Sequence, residues 1–158
     1  MTEKILTQQD KEEIEKLYPH FPVRSAVCIE GLKVIQKNHR WVSDEAIKEL
    51  ADMLLMSPEA VDSVATYYNL IFRRPVGRHV ILVCDSVSCW IMGYEKILDE
   101  LRNKLAIGYG ETTADDRFTL LPIVCLGTCD HEPAMMIDED LHRDLPPEQM
   151  EEILQAYK

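Results

Sequence analysis

Four cysteines in two close pairs constrain this chain more than any other feature. Cys84-x₄-Cys89 lies in "VCDSVSCW", and Cys125-x₃-Cys129 lies in "VCLGTCDHEP". Each pair follows a short apolar, β-branched run, "HVILVC" (79–84) and "RFTLLPIVC" (117–125), of the kind that forms buried strands. If the two strands are neighbours in one sheet, both cysteine loops leave the same end, and four thiolates converge there. Four thiolates suit a structural zinc or an iron–sulfur cluster. Zinc knuckles usually close through a tighter C-x₂-C, whereas the x₄ and x₃ loops match the wider footprint of two irons. Paired structural thiols remain a third possibility. Gly127 allows the backbone to bend close to such a centre, where local N–H groups can donate to sulfur.

Other cofactor patterns do not fit. Cys89 is followed by "WIMGYE", so the plant-type ferredoxin run is absent. A Rieske centre needs two histidines, and His131 alone lies beside a cysteine pair; it reads as a solvated loop residue. Neither G-x-G-x-x-G nor G-x-x-x-x-G-K-[ST] occurs, so nothing signals a nucleotide site on this chain. A redox centre here is a relay whose electron donor sits elsewhere.

The rest of the chain organises around this constellation. Residues 1–74 read as a helical bundle. Thr7 caps "QQDKEEIEKLY", which Pro19 and Pro22 end; "SAVCIEGLKVIQKNH" turns Ala26, Cys28, Ile29, Leu32 and Ile35 inward; Ser43 caps "DEAIKELADMLLM"; and Ser57-Pro58 opens a helix through Val61, Val64, Ala65 and Tyr68. Cys28, outside the pairs, reads as a small core residue. Tyr67, Tyr68 and Phe72 read as bundle packing, and Arg73 and Arg74, in the connector "FRRPVG", as exposed interface candidates. Residues 75–158 alternate strand and helix. "GYEKILDELRNKL" buries Ile97, Leu98, Leu101 and Leu105, "PAMMIDEDLHRDL" forms strand, turn and strand, and Pro146-Pro147 open a last helix.

Composition bounds the function. The net charge of −11, with 28 acidic and 17 basic residues, repels phosphate backbones and anionic lipid. "ELADMLLMSPEAVDSVATYY" scans like a helix-turn-helix, but Glu59 and Asp62 stand where DNA contacts require Arg or Lys. No apolar run reaches the roughly 20 residues that span a bilayer. The acidic, helix-patterned start lacks the features of a secretory or mitochondrial leader. The expected setting is the cytoplasm, without nucleic acid and without direct membrane insertion.

"VCDSVSCWIMGYEKI" and "LPIVCLGTCDHEPAMMIDED" resemble the family of thioredoxin-like 2Fe–2S subunits (the E subunit in bacteria) of NADH:quinone oxidoreductase, respiratory complex I. The resemblance extends through "GLKVIQKNHRWV" and "ATYYNLIFRRPVGRHV". It implies an α+β chain, an N-terminal helical bundle followed by a thioredoxin-like α/β domain. It also implies one 2Fe–2S cluster on Cys84, Cys89, Cys125 and Cys129, with no catalytic residue on this chain. FMN and NADH are then expected on a flavin- and NADH-binding partner subunit, alongside other peripheral-arm subunits. Related chains serve NAD-linked hydrogenases and formate dehydrogenases, and a zinc-stapled interaction module is the alternative of another class. Glu132 departs from the Ala or Gly common in relatives before the proline; with Asp85 and Asp130 it is expected to lower the cluster's potential.

Overall fold

Thr7 sets the first helix. Its hydroxyl accepts from the Asp10 backbone N–H while the Asp10 carboxylate accepts from the Thr7 N–H, a reciprocal capping box that starts α1 (Gln8–Glu15). The computed structural model describes residues 5–158. They form two compact units, one ending at Pro75 and one beginning at Val76, each with its own apolar core.

In the first unit α1 is followed by α2 (Cys28–His39), α3 (Asp44–Leu54) and α4 (Pro58–Tyr67). Ser43 and Ser57 cap α3 and α4 by accepting from Ala46 and Ala60 N–H, and Pro58 takes the first helical position, where its missing donor costs nothing. Ile14, Val27, Leu32, Ile35, Leu50, Leu54 and Val61 fill the core, with Cys28 buried among them. Burial pushes the Cys28 thiol above its ordinary range, as an inert core thiol should be.

Three expectations fail in this unit, each for a local reason. Residues Arg24–Val27 form a 3₁₀ turn rather than α-helix, so the phase shifts: Val27 is buried and Ala26 is exposed. Tyr67 and Tyr68 lie outside the core, 81% and 46% exposed, stacked edge-to-face at 5.1 Å where α4 ends. Arg73 is not a free surface cation. Its guanidinium donates to Asp62 at 2.9 Å, to Asp44 at 2.5 Å and to the Val42 carbonyl, lashing the connector to both helices; of the two arginines, only Arg74 is exposed.

Asp10 ties α1 to the end of α2. Its buried carboxylate accepts from Asn38 Nδ2 at 2.7 Å and pairs with His39 Nε2 at 2.8 Å. Burial works to raise its pKa, but the hydrogen bonds from His39, Asn38 and Thr7 outweigh it and hold the group at about 2.

The second unit carries β1 (His79–Cys84), α5 (Val87–Ile91), α6 (Tyr94–Leu105), β2 (Phe118–Ile123), β3 (Met135–Ile137), β4 (Asp140–His142) and α7 (Met150–Ala156). The sheet order is β2-β1-β3-β4, with β1 and β2 parallel and the other pairs antiparallel. β1 is central and buried from Val80 to Cys84, as a continuous apolar run predicts. Pro122 stands in β2 because that strand is an edge, where a missing N–H is tolerated. Ile97, Leu98 and Leu101 of α6 pack on Ile81, Val83, Phe118 and Leu120. Gly77 lets the chain enter β1 closely: a Cβ there would come within 2.8 Å of the Phe118 backbone carbon, and its N–H donates to Thr119 Oγ1 at 2.6 Å.

Candidate iron–sulfur site

Parallel pairing of β1 and β2 puts Cys84 opposite Ile123, so both cysteine loops leave the same end of the sheet. The Asp85 N–H continues the ladder to Ile123 O at 3.0 Å, and the Cys84 N–H donates to Ala134 O at 3.1 Å. Ser86, unnoticed in the sequence, accepts from the Cys89 N–H at 3.4 Å and caps α5, the short helix that swings Cys89 back toward Cys84. An Asp-Ser dipeptide directly before Val87 was the available signal.

The thiols stand as two unlike pairs rather than around one point. Cys84 and Cys89 are buried, with Cys84 Sγ donating to Ser86 Oγ at 3.5 Å; Cys125 and Cys129 are exposed, with their sulfurs 3.8 Å apart. Among the described residues, no three His, Cys, Asp or Glu side chains close around a single ion. The expected convergence on one point is therefore a convergence on one sheet end. One pair is anchored in the ordered strand end and α5, while the other rides a loop.

Backbone donors face the sulfurs. Gly127 N–H donates to Cys125 Sγ at 3.3 Å, and the Leu126 and Ala134 N–H groups lie near enough to Cys84 and Cys89 to favour their thiolates. Gly127 has φ +74, a left-handed conformation that aims its N–H back at Cys125. Burial works to raise the Cys84 pKa, but the Ser86 hydroxyl, Ser86 and Leu126 N–H groups and Cys89 bring it below the ordinary thiol range. Cys89 is pushed up by burial and by the neighbouring Cys84 charge, and Cys129 is pushed up first by Cys125 and also by the charges of Glu132 and Cys84. The donor set of four soft sulfurs in two pairs, three of them with backbone N–H donors, fits a 2Fe–2S cluster.

His131 lies beside the site as a half-buried loop residue, its Nδ1 2.8 Å from Asp144 Oδ2 and its Nε2 3.6 Å from Asp130. Around the cysteines runs an exposed apolar rim that sequence reading missed: Val87, Trp90, Ile91 and Met92 on and after α5, with Val124 beside Cys125. The signal was present in "VSCWIM", whose apolar residues outnumber the inward positions of one helical turn.

Residues 12–158 match the family described as thioredoxin-like [2Fe-2S] ferredoxin. The chain is 46% identical over 153 residues to the E subunit of the NADH-quinone oxidoreductase of Pseudomonas aeruginosa, covering 97% of this chain and 92% of that one. It is 51% identical over 153 residues to the protein of the same name from Escherichia coli K12, with the same coverage. Among solved structures, an NAD+-reducing [NiFe]-hydrogenase in its air-oxidized state superimposes with a TM-score of 0.64 at 25% identity. That match covers 72% of this chain but 20% of the hydrogenase chain, so this protein spans about a fifth of it. Among the described residues no helix is long and apolar enough to cross a membrane.

Proposed function

The chain belongs to the thioredoxin-like 2Fe–2S ferredoxin family, and from that premise we propose that it is the electron-transfer subunit of the NADH-oxidising module of an NADH:quinone oxidoreductase. In this reading Cys84, Cys89, Cys125 and Cys129 hold one 2Fe–2S cluster. The observation that carries it is the meeting of the two cysteine pairs at one sheet end, in a chain that nearly spans relatives named as the E subunit of NADH-quinone oxidoreductase. When bound, the cluster supplies one-electron redox chemistry, exchanged with FMN on a flavin- and NADH-binding partner subunit.

The chain's own residues set the terms of that exchange. The backbone N–H groups of Ser86, Leu126, Gly127 and Ala134 point positive dipole at the sulfurs and favour added negative charge there. Asp85, Asp130 and Glu132 oppose this, and Glu132 already acts on Cys129. The buried pair keeps water from Cys84 and Cys89, while the exposed pair faces outward, where an electron enters or leaves.

The apolar rim supports docking at this end. Trp90, Ile91, Met92 and Val124 form an exposed cluster of a kind that marks interaction surfaces, and Trp is a frequent anchor. The other peripheral-arm subunits complete the assembly, on the cytoplasmic side of the membrane. The hydrogenase likeness favours one second reading, the equivalent subunit of an NAD-linked hydrogenase. Affinity purification of the tagged chain from its native host, followed by NADH addition under anaerobic conditions, tests the proposal. A co-purifying flavoprotein and NADH-dependent bleaching of the iron–sulfur absorbance are expected. Purification without a flavoprotein overturns the partner; hydrogenase subunits in the complex, in place of quinone reductase ones, favour the second reading.

A further inference from the structure

Thr128 stands between Cys125 and Cys129 in the loop 125–129; the residue is 8% exposed and its Oγ1 is buried. Its hydroxyl has no hydrogen-bond partner among the described residues. Two neighbouring polar groups of the loop are engaged elsewhere: the Gly127 N–H donates to Cys125 Sγ at 3.3 Å, and the Thr128 carbonyl accepts from the His131 N–H at 3.0 Å. Buried hydroxyls are nearly always paired, because an unmet donor costs about 1–3 kcal/mol. An exception inside a ligand loop calls for a partner that the polypeptide does not supply. Consecutive Cα atoms lie about 3.8 Å apart, so a buried group next to Cys129 is within a side chain's length of whatever that sulfur holds.

We propose that the Thr128 hydroxyl is a hydrogen-bond donor reserved for the bound cluster, given to a sulfur at the Cys125–Cys129 side. The inference rests on the cluster reading above. It assigns the threonine two roles. The hydroxyl stabilises the extra electron on the exposed side, where Cys125 has a single backbone donor and Cys129 none among the described contacts. It also makes the loop complete only when loaded, since the same group is an unpaired donor without the cluster.

The test compares the full chain with Thr128→Val and Thr128→Ser, each loaded anaerobically with iron and sulfide. Iron and sulfide content, the midpoint potential and the EPR spectrum of the reduced form are read, together with thermal unfolding of the cluster-free chains. Val is close in shape but has no donor; Ser keeps the donor. The expected result is a more negative midpoint and altered g-values in Thr128→Val, wild-type values in Thr128→Ser, and a cluster-free Thr128→Val at least as stable as wild type. Loading lost in the valine variant and kept in the serine variant supports the same assignment. A wild-type midpoint in Thr128→Val overturns the inference, as do equal shifts in both variants or a valine chain that is less stable without the cluster. Failure of the wild-type chain to load two irons and two sulfides would instead overturn the ligand assignment, so the two failures are distinguishable.

Discussion

Gly127→Ala separates backbone strain from steric exclusion at the site. Gly127 has φ +74, and a Cβ built there meets no heavy atom within 4 Å. Crowding therefore adds nothing, and the cost is the left-handed conformation, about 1–2 kcal/mol for a residue with a Cβ. Alanine also restricts the unfolded chain, which returns about 0.4–1 kcal/mol. The net loss is then about 0–1.6 kcal/mol, or up to roughly 6 °C in Tm for a chain of this size. Gly127→Asn should lose less, because asparagine tolerates this region better. Calorimetry of the cluster-free, reduced proteins in the order glycine, asparagine, alanine checks the ranking. Alanine more stable than glycine would mean that the loop does not hold φ +74. A loss above about 3 kcal/mol would mean that the open space beside Gly127 is filled.

Three further outcomes follow from particular contacts. Asp10, held at about 2 against its ordinary 3.8, contributes stability that is present above pH 4 and lost as pH falls through its folded pKa; Asp10→Asn should flatten acid unfolding between pH 4 and 2 and cost about 1–2 kcal/mol at pH 7, read by denaturant titration. Trp90→Ala should weaken binding to the flavoprotein partner by roughly 30-fold, as at a buried anchor, while iron content and Tm stay unchanged; unchanged affinity in a surface-binding assay removes the rim from the interface. Glu132→Gln removes a negative charge that acts on Cys129, so the midpoint should rise by about 10–40 mV, the equivalent of ~0.2–1 kcal/mol at a partly solvated site, and an unchanged redox titration would refute that influence.

The strands and capped helices were legible because their signals are local. Thr7, Ser43 and Ser57 each announce a helix start, and β1 and β2 are short apolar runs that flank the cysteines. The condition that the two strands be sheet neighbours, left open by the sequence, is met by their parallel pairing. The misses depend on tertiary context. Helical periodicity cannot show that residues 24–27 wind as a tighter 3₁₀ turn, so Ala26 was assigned inward. Nor can it show that α4 ends at Tyr67, leaving Tyr67 and Tyr68 in solvent. Arg73 reads as a surface cation until Asp44, Asp62 and the Val42 carbonyl are gathered about it from distant positions. At the site, cysteine spacing singled out the two pairs proposed as ligands but not that one pair would be buried and the other exposed. Burial of the Thr128 hydroxyl is likewise invisible in "CLGTC".

The central claim is that four thiols, and not the fifth, hold two irons and two sulfides. Metal and acid-labile sulfide analysis of the anaerobically loaded chain and of five single Cys→Ser variants tests it most directly. About two irons and two sulfides per chain are predicted in the wild type and in Cys28→Ser, with loss or marked destabilisation of the cluster in Cys84→Ser, Cys89→Ser, Cys125→Ser and Cys129→Ser. One zinc without sulfide, or a full cluster in all four of those variants, would contradict it.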